Sequence, residues 1–345
     1  MGDTYNVRLE PVGIEFEVDE DETILRGAFR QGLMLMHGCK EGQCAACKSF
    51  LLDGEVDLDR SSNFALNDFE KEEGWTLLCR AHAMSDLEVE LINYDEEVLR
   101  SGVPEQTEEL TVQTLESLTH DIYRLVLDAT ELKFRPGQYV DIKIPGTNGG
   151  EGNTRSFSMA NLPASGQLEF MIKAYPDGRF SGLLSGGEIT EGKTLTVTGP
   201  YGVFTLRRTS DRPLLFIGGG AGMAPILSLL RALAEEDPER EAIFYYGART
   251  PEDLFHLEEL RELEGRLSHF RFVPALSECG EGAQWDGEQG LITDVVTRCE
   301  QELSGKDAYL CGPPPMVDAA IAMLDAGGVP DDRVFYDKFT TTAPE

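Results

Sequence analysis

Apolar and polar residues alternate from the start of the chain. Val7 and Leu9, then Ile14, Phe16 and Val18, repeat with a period of two around Val12-Gly13, which predicts two strands and a turn over residues 5–18. Asp21-Glu22-Thr23 then suits a helix start, with Ile24, Leu25, Ala28 and Phe29 as the apolar face and Gly32 as the closing glycine. Leu87, Val89 and Leu91 alternate again and predict a closing strand. Residues 99–108 are polar with Gly102 and Pro104 and read as a linker. Five short strands follow, starting near Leu110, Ile122, Tyr139, Leu168 and Thr194, with turn signals such as Arg135-Pro136-Gly137 and Glu191-Gly192-Lys193 between them. That spacing predicts a small antiparallel barrel over 109–208. From Pro213 the period changes. Strands at 214–217, 242–246, 269–274 and 308–311 alternate with helices at 225–234, 254–263 and 316–324, the pattern of a parallel α/β sheet over 209–345.

Composition adds one departure from the ordinary. The 345 residues are 41% apolar and 27% charged, enough for a packed core, but the formal net charge is −32. Nucleic acid and anionic membrane surfaces are poor partners for such a chain. A basic protein partner is a good one, although acidity also serves solubility alone. Residues 1–100 carry −14 of the total and are the more acidic part. The N-terminus lacks a basic and apolar leader, and the uncharged stretch 213–230 is interrupted by Pro213, Pro225 and four glycines. The expectation is a cytoplasmic protein, monomeric when free.

The seven cysteines then direct the reading. Cys39, Cys44 and Cys47 stand as C-x4-C-x2-C and Cys79 follows at a distance, the plant-type spacing for a [2Fe–2S] cluster. Gly42, Ala45 and Ala46 keep the loop small, so backbone N–H groups can point at sulfur. A structural zinc site would want a second close pair, and none is present. An odd number of cysteines argues against a disulfide scaffold. Cys279 and Cys299 have no partner pattern, and the five histidines form no ligand-spaced set. His82, near Cys79, would matter only for a Rieske-type centre, and four cysteines already complete the set.

Four further motifs carry chemistry. In Arg155-Ser156-Phe157-Ser158, an arginine can clamp a pyrophosphate, an aromatic can stack on a flavin and a hydroxyl can reach a ring nitrogen; an ordinary barrel strand is the bland alternative. Gly178-Arg179-Phe180-Ser181 suggests a turn feeding a short helix, either an anion site or a capped surface turn. Gly199-Pro200-Tyr201-Gly202 is by itself only a turn. Gly218-Gly219-Gly220-Ala221-Gly222-Met223 lies between a strand and a helix, where glycines let backbone approach a pyrophosphate, though the spacing is not G-x-G-x-x-G. Cys311-Gly312-Pro313 follows another strand, where a cysteine can contact a nicotinamide or simply be buried. Lys173 and Arg249, at strand ends, join these as candidate cofactor residues.

Together these motifs resemble the reductase components of bacterial multicomponent oxygenases, and in particular the reductases of soluble di-iron monooxygenases of the methane and propane type. Leu77-Leu78-Cys79-Arg80, Ala160-Asn161-Leu162-Pro163, Trp285-Asp286-Gly287-Glu288-Gln289-Gly290, Cys311-Gly312-Pro313-Pro314 and Phe335-Tyr336-Asp337-Lys338-Phe339 carry the resemblance alongside the cysteine, flavin and Gly178 motifs. It implies a β-grasp plant-type ferredoxin domain over 1–98, a flavin barrel and a nicotinamide-binding α/β domain. It implies FAD on Arg155, Ser156, Phe157 and Ser158, with 178–181 on its phosphates and Phe339 near the ring. It implies NADH pyrophosphate at Gly219, Gly220 and Gly222 and nicotinamide at Cys311. Phe157 stands where the family often has Tyr, and the glycine-rich loop 147–153 has no assigned role. After the second α/β strand, Arg249 is the only base and Glu252 and Asp253 follow, which favours NADH over NADPH. No catalytic acid or base is implied. The alternatives are the reductase of a Rieske ring-hydroxylating dioxygenase and, in a different class, an iron–sulfur sensor or carrier without NADH activity.

Overall fold

The computed structural model describes residues 2–128, 130–147, 153–175, 177–279 and 285–339. They form two compact units, one of residues 1–107 with 198–203, the other of 108–197 with 204–345.

In the first unit, β1 (Thr4–Glu10), β2 (Ile14–Asp19), β3 (Lys48–Asp53), β5 (Trp75–Leu77) and β7 (Leu87–Leu91) form a sheet in the order β2-β1-β7-β3-β5. β4 (Val56–Leu58) and β6 (Ala81–Ala83) pair separately. Helix α1 (Ile24–Arg30) lies on the sheet because Ile24, Leu25, Ala28 and Phe29 are apolar at helical spacing and all buried. Thr23 caps it by accepting from the Arg26 N–H, and Gly32 follows at φ +76°. Short helices α2 (Asp68–Glu72) and α3 (Glu96–Arg100) complete the unit.

Two sequence expectations change here. Leu99 is not linker: Val98 and Leu99 are core residues of α3, capped by Asp95, so the connection shrinks to 101–105. A five-residue helix is too short to show a period. Gly199-Pro200-Tyr201-Gly202 is also more than a turn. The buried Tyr201 donates its hydroxyl to Glu105 at 2.6 Å and takes the Lys40 ammonium over its ring at 3.9 Å.

The second unit holds two sheets. β8 (Gln106–Ser117), β9 (Ile122–Leu127), β10 (Tyr139–Lys143), β11 (Thr154–Ser158), β12 (Leu168–Lys173) and β13 (Thr194–Tyr201) run in the order β11-β10-β13-β8-β9-β12, with α4 (Ser181–Ser185) before β13. A Met159–Phe170 bridge joins the two outer strands and closes the barrel. The Arg155-Ser156-Phe157-Ser158 motif is itself part of the sixth strand, β11.

The other sheet is parallel throughout. It contains β14 (Leu214–Gly219), β15 (Ala242–Ala248), β16 (Phe270–Leu276), β17 (Glu288–Gln289), β18 (Asp307–Gly312) and β19 (Val334–Lys338), in the order β17-β16-β15-β14-β18-β19. Helices α5 (Met223–Glu236), α6 (Leu257–Arg266), α7 (Ile292–Cys299) and α8 (Pro314–Ala326) connect it. The strand order reverses between β14 and β18, and in such sheets ligands bind outside the carboxyl ends at that point. α6 starts three residues later than its apolar pattern predicts, because Thr250 and Asp253 cap a 3₁₀ turn and His256 takes φ +56°. Among the described residues no helix is long and apolar enough to cross a membrane.

Candidate functional site: two redox centres

In the first unit the ligand loop is shaped by three left-handed residues, Lys40, Gly42 and Ala45, at φ +58°, +68° and +59°. These turn N–H groups inward. Glu41 and Gln43 donate to Cys39 Sγ at 3.4 and 3.2 Å, and Cys39 donates to Cys44 Sγ at 3.3 Å. The four sulfurs stand as two hydrogen-bonded pairs, Cys39 with Cys44 and Cys47 with Cys79. The Cys44 hydrogen bond, aided by the loop N–H groups, brings the Cys39 thiol down to about 5, and the Cys79 hydrogen bond lowers Cys47. Among the described residues no three donors converge as a single-ion site. Two pairs suit a binuclear cluster, which takes two thiolates per iron. Packing leaves no room to enlarge the loop: a Cβ on Gly42 would lie 2.9 Å from Arg80 Cγ. Arg80, buried beside Cys79, pairs with Asp59 at 3.3 Å, and His82 approaches the same carboxylate at 3.2 Å rather than the cysteines.

In the second unit the flavin motif is laid out by strand alternation. Phe157 is half-buried against Phe180 and Phe170, with ring centroids 4.9 and 6.4 Å apart. Ser156 and Ser158 face the other way. Ser156 donates to Asp141 at 2.6 Å, and Ser158 donates to Asp337 of β19 at 3.4 Å. In the 178–181 turn, Ser181 accepts from the Tyr175 N–H, and a Cβ on Gly178 would meet that hydroxyl at 2.1 Å. Arg179 donates to Asn153 at 3.0 Å. Lys173 gives its ammonium to Asp121 at 2.6 Å, so its charge is already spent on a neighbour.

The glycine loop and the Cys311 segment meet across the switch point. Gly218 and Cys311 are register partners on β14 and β18. The glycines divide their duties. A Cβ on Gly222 would lie 2.3 Å from the Cys311 carbonyl, and one on Gly312 would lie 2.9 Å from the Gly219 carbonyl, so both permit close backbone packing. Gly220, at φ +55°, has no atom within 4 Å of such a position, so of these glycines it could leave space for a pyrophosphate. Met223 is wholly buried at the start of α5, and Pro313 precedes α8. Cys311 is wholly enclosed, and burial pushes its thiol well up. Phe339 donates its N–H to the Gly312 carbonyl at 3.0 Å and packs on the same core. Arg249 is exposed at the end of β15, and Asp253 is used in capping Thr250 at 2.8 Å. Most of loop 147–153 lies outside the described residues.

One residue escaped the sequence reading. Asp337 pairs in register with Cys311 and receives the Ser158 hydroxyl, and desolvation lifts its carboxyl to about 6 against that hydrogen bond. Its only sequence signal is its place in Phe335-Tyr336-Asp337-Lys338-Phe339.

Comparison with known proteins follows the same partition. Families described as 2Fe-2S iron-sulfur cluster binding domain, oxidoreductase FAD-binding domain and oxidoreductase NAD-binding domain match residues 7–84, 108–206 and 216–321. The chain is 52% identical to the propane 2-monooxygenase reductase component of Mycolicibacterium smegmatis, over 99% of each chain. It is 50% identical to that of Rhodococcus jostii, over 100% of this chain and 94% of the other. Among solved structures, an Amycolatopsis cytochrome P450 reductase superposes at TM-score 0.87 with 30% identity, covering 98% of this chain and 99% of that one. The ferredoxin reductase in carbazole 1,9a-dioxygenase gives TM-score 0.76 with 32% identity and the same coverage.

Proposed function

The chain belongs to the reductase components of multicomponent monooxygenases, a plant-type ferredoxin fused to a ferredoxin–NADP reductase-like module, and from that premise we propose its electron acceptor and the roles of its residues. When bound, FAD would supply hydride acceptance from NADH and a [2Fe–2S] cluster would supply single-electron transfer towards an oxygenase component. The acceptor is the hydroxylase of a soluble di-iron monooxygenase acting on a small alkane such as propane. The observation that carries this is the 52% identity, end to end, with a propane 2-monooxygenase reductase. Reductases named for a cytochrome P450 and a carbazole dioxygenase share the architecture at only 30% and 32% identity, so architecture alone does not choose the acceptor.

Cys39, Cys44, Cys47 and Cys79 would hold the two irons, the pairing of their sulfurs matching two thiolates on each. Arg155 and the 178–181 turn hold the FAD phosphates, Phe157 lies against the ring and Ser158 hydrogen-bonds at its reacting edge. Asp337 orients the Ser158 hydroxyl and accepts its proton in a hydrogen bond. Gly220 and the start of α5 receive the NADH pyrophosphate. Cys311 and Phe339 wall the nicotinamide from water. With Arg249 exposed and acids beside it, NADH is preferred to NADPH. The protein works in the cytoplasm as a monomer and docks transiently through its acidic first unit.

Reconstitution decides the acceptor. NADH oxidation should couple to product formation with a di-iron hydroxylase. Coupling to a Rieske oxygenase alone would overturn the proposal, and a pure protein without a flavin spectrum would revive the sensor or carrier reading.

A further inference from the structure

Helix α5 begins at the glycine loop, and one or two turns later it is bolted to the barrel. Ser228 and Arg231 are three residues apart and so lie on one helix face. Both reach the chain that continues β11 past the flavin motif. Ser228, wholly buried, donates to the Asn161 carbonyl at 2.9 Å. Arg231 donates from one nitrogen to the Ala160 carbonyl at 2.8 Å and to Glu169 at 2.6 Å, and from another to Glu259 of α6 at 2.7 Å. Glu169, buried on β12, also takes Arg124 of β9 at 2.5 Å. Its backbone closes the set: Ala160 N–H donates to the Glu169 carbonyl and Glu169 N–H to the Asn161 side chain, both at 2.8 Å.

This arrangement is costly for simple adhesion. Burial opposes the charge on Glu169, yet Arg231 and Arg124 hold its carboxyl below the ordinary value. Apolar side chains would join two layers at least as firmly as buried ions. The surrounding contacts are in fact apolar, with Ile122 and Met171 of the barrel clustering with Met223, Leu227 and Leu230 of α5. Apolar contact permits sliding. A planar guanidinium held by a main-chain carbonyl and two carboxylates fixes direction as well.

We propose that Ser228 and Arg231 are positioning residues that lock the register between the glycine loop and the flavin strand, and so set how nicotinamide meets the flavin. Ala160 is two residues past Ser158. Arg231 is nine residues past Gly222, an arm of about 13 Å at 1.5 Å per helical residue. Loosening the bolt therefore tilts the pyrophosphate site relative to the ring, and misplacement by about 1 Å costs up to about 100-fold in rate. The inference rests on the assignment of those two motifs to NADH and FAD.

The test uses full-length, cofactor-loaded Ser228→Ala, Arg231→Lys and Arg231→Met. Anaerobic stopped-flow bleaching of the flavin by NADH gives a limiting rate and a Kd; hydrogen–deuterium exchange reports on 158–162 and 223–231. In Ser228→Ala and Arg231→Lys the limiting rate should fall about tenfold with Kd changed less than about twofold. Exchange should quicken in those two segments and not in the first unit. Arg231→Met should be slower still; if it fails to fold, the two milder variants decide. A limiting rate within about twofold of the parent in both, a loss expressed only in Kd, or unchanged exchange overturns the proposal. Wild-type flavin that NADH does not bleach would instead refute the motif assignment, independently of the bolt.

Discussion

Cys39 of the first unit and Cys311 of the second occupy opposite surroundings. Cys39 accepts two loop N–H bonds and its thiol sits near 5, whereas Cys311 is sealed between parallel strands and its thiol is pushed well up. The first centre is built by a loop of nine residues and one cysteine 32 positions on. The second is built by register, with Gly218, Cys311 and Asp337 side by side on β14, β18 and β19. A local loop concentrates donors to receive a charged inorganic group. A strand terminus excludes water and presents shape, which a bound organic cofactor needs.

The largest effect that would sharpen this contrast is Cys44→Ser. Iron and the long-wavelength cluster absorbance should be lost and electron delivery to the hydroxylase abolished, while flavin bleaching by NADH stays within about twofold. Loss of bleaching in a folded, FAD-loaded variant would break the division between centres.

Next come Ser158→Ala and Asp337→Asn, expected to slow the limiting bleaching rate about 10- to 100-fold without removing iron. With the Asp337 carboxyl near 6, the parental rate should change across that pH, and the asparagine variant should flatten the profile. A parental profile that is flat from pH 5 to about 8 would remove Asp337 from the site.

Gly222→Ala should act on folding. Its Cβ would press on the Cys311 carbonyl, costing about 1–3 kcal/mol by overpacking. Calorimetry should show the loss in the second unit, with the cluster spectrum unchanged. Gly220→Ala meets open space but sits at φ +55°, so it should cost the fold about 1–2 kcal/mol of left-handed strain and weaken NADH binding as well.

A smaller effect concerns Asp337 and stability. Its folded-state value lies above the ordinary 3.8, so its contribution is fully present below about 4 and is lost as pH rises through about 6. Asp337→Asn should therefore melt higher than the parent at pH 8 and lose that advantage by pH 4. The smallest effect is electrostatic. Electron transfer to the hydroxylase should slow a few-fold as salt screens exposed charges at a Debye length of ~8 Å, with flavin bleaching nearly constant. Asp57→Lys should lower the on-rate more than it raises the off-rate. Asp59 is the poorer choice, since Arg80 and His82 already engage it. A salt-independent transfer rate would leave acidity serving solubility alone.

Much of this molecule is legible in one dimension. Thr23 with Ile24, Leu25, Ala28 and Phe29 announces α1, and the cysteine spacing announces the cluster, because each is local: a period, a cap, or ligands in one loop. The alternation of strands and helices after Pro213 likewise announces a parallel sheet. Other features exist only after folding. Leu99 reads as linker until Asp95 caps a helix too short to show a period, and α6 starts late because His256 turns left-handed. Asp337 meets Ser158 across 179 residues, and Arg231 meets Ala160 across 71. A carboxylate or guanidinium has the same local signature in solvent as in a cleft. Only strand register and helix placement decide what it faces, and so tertiary structure alone marks Asp337 and Arg231.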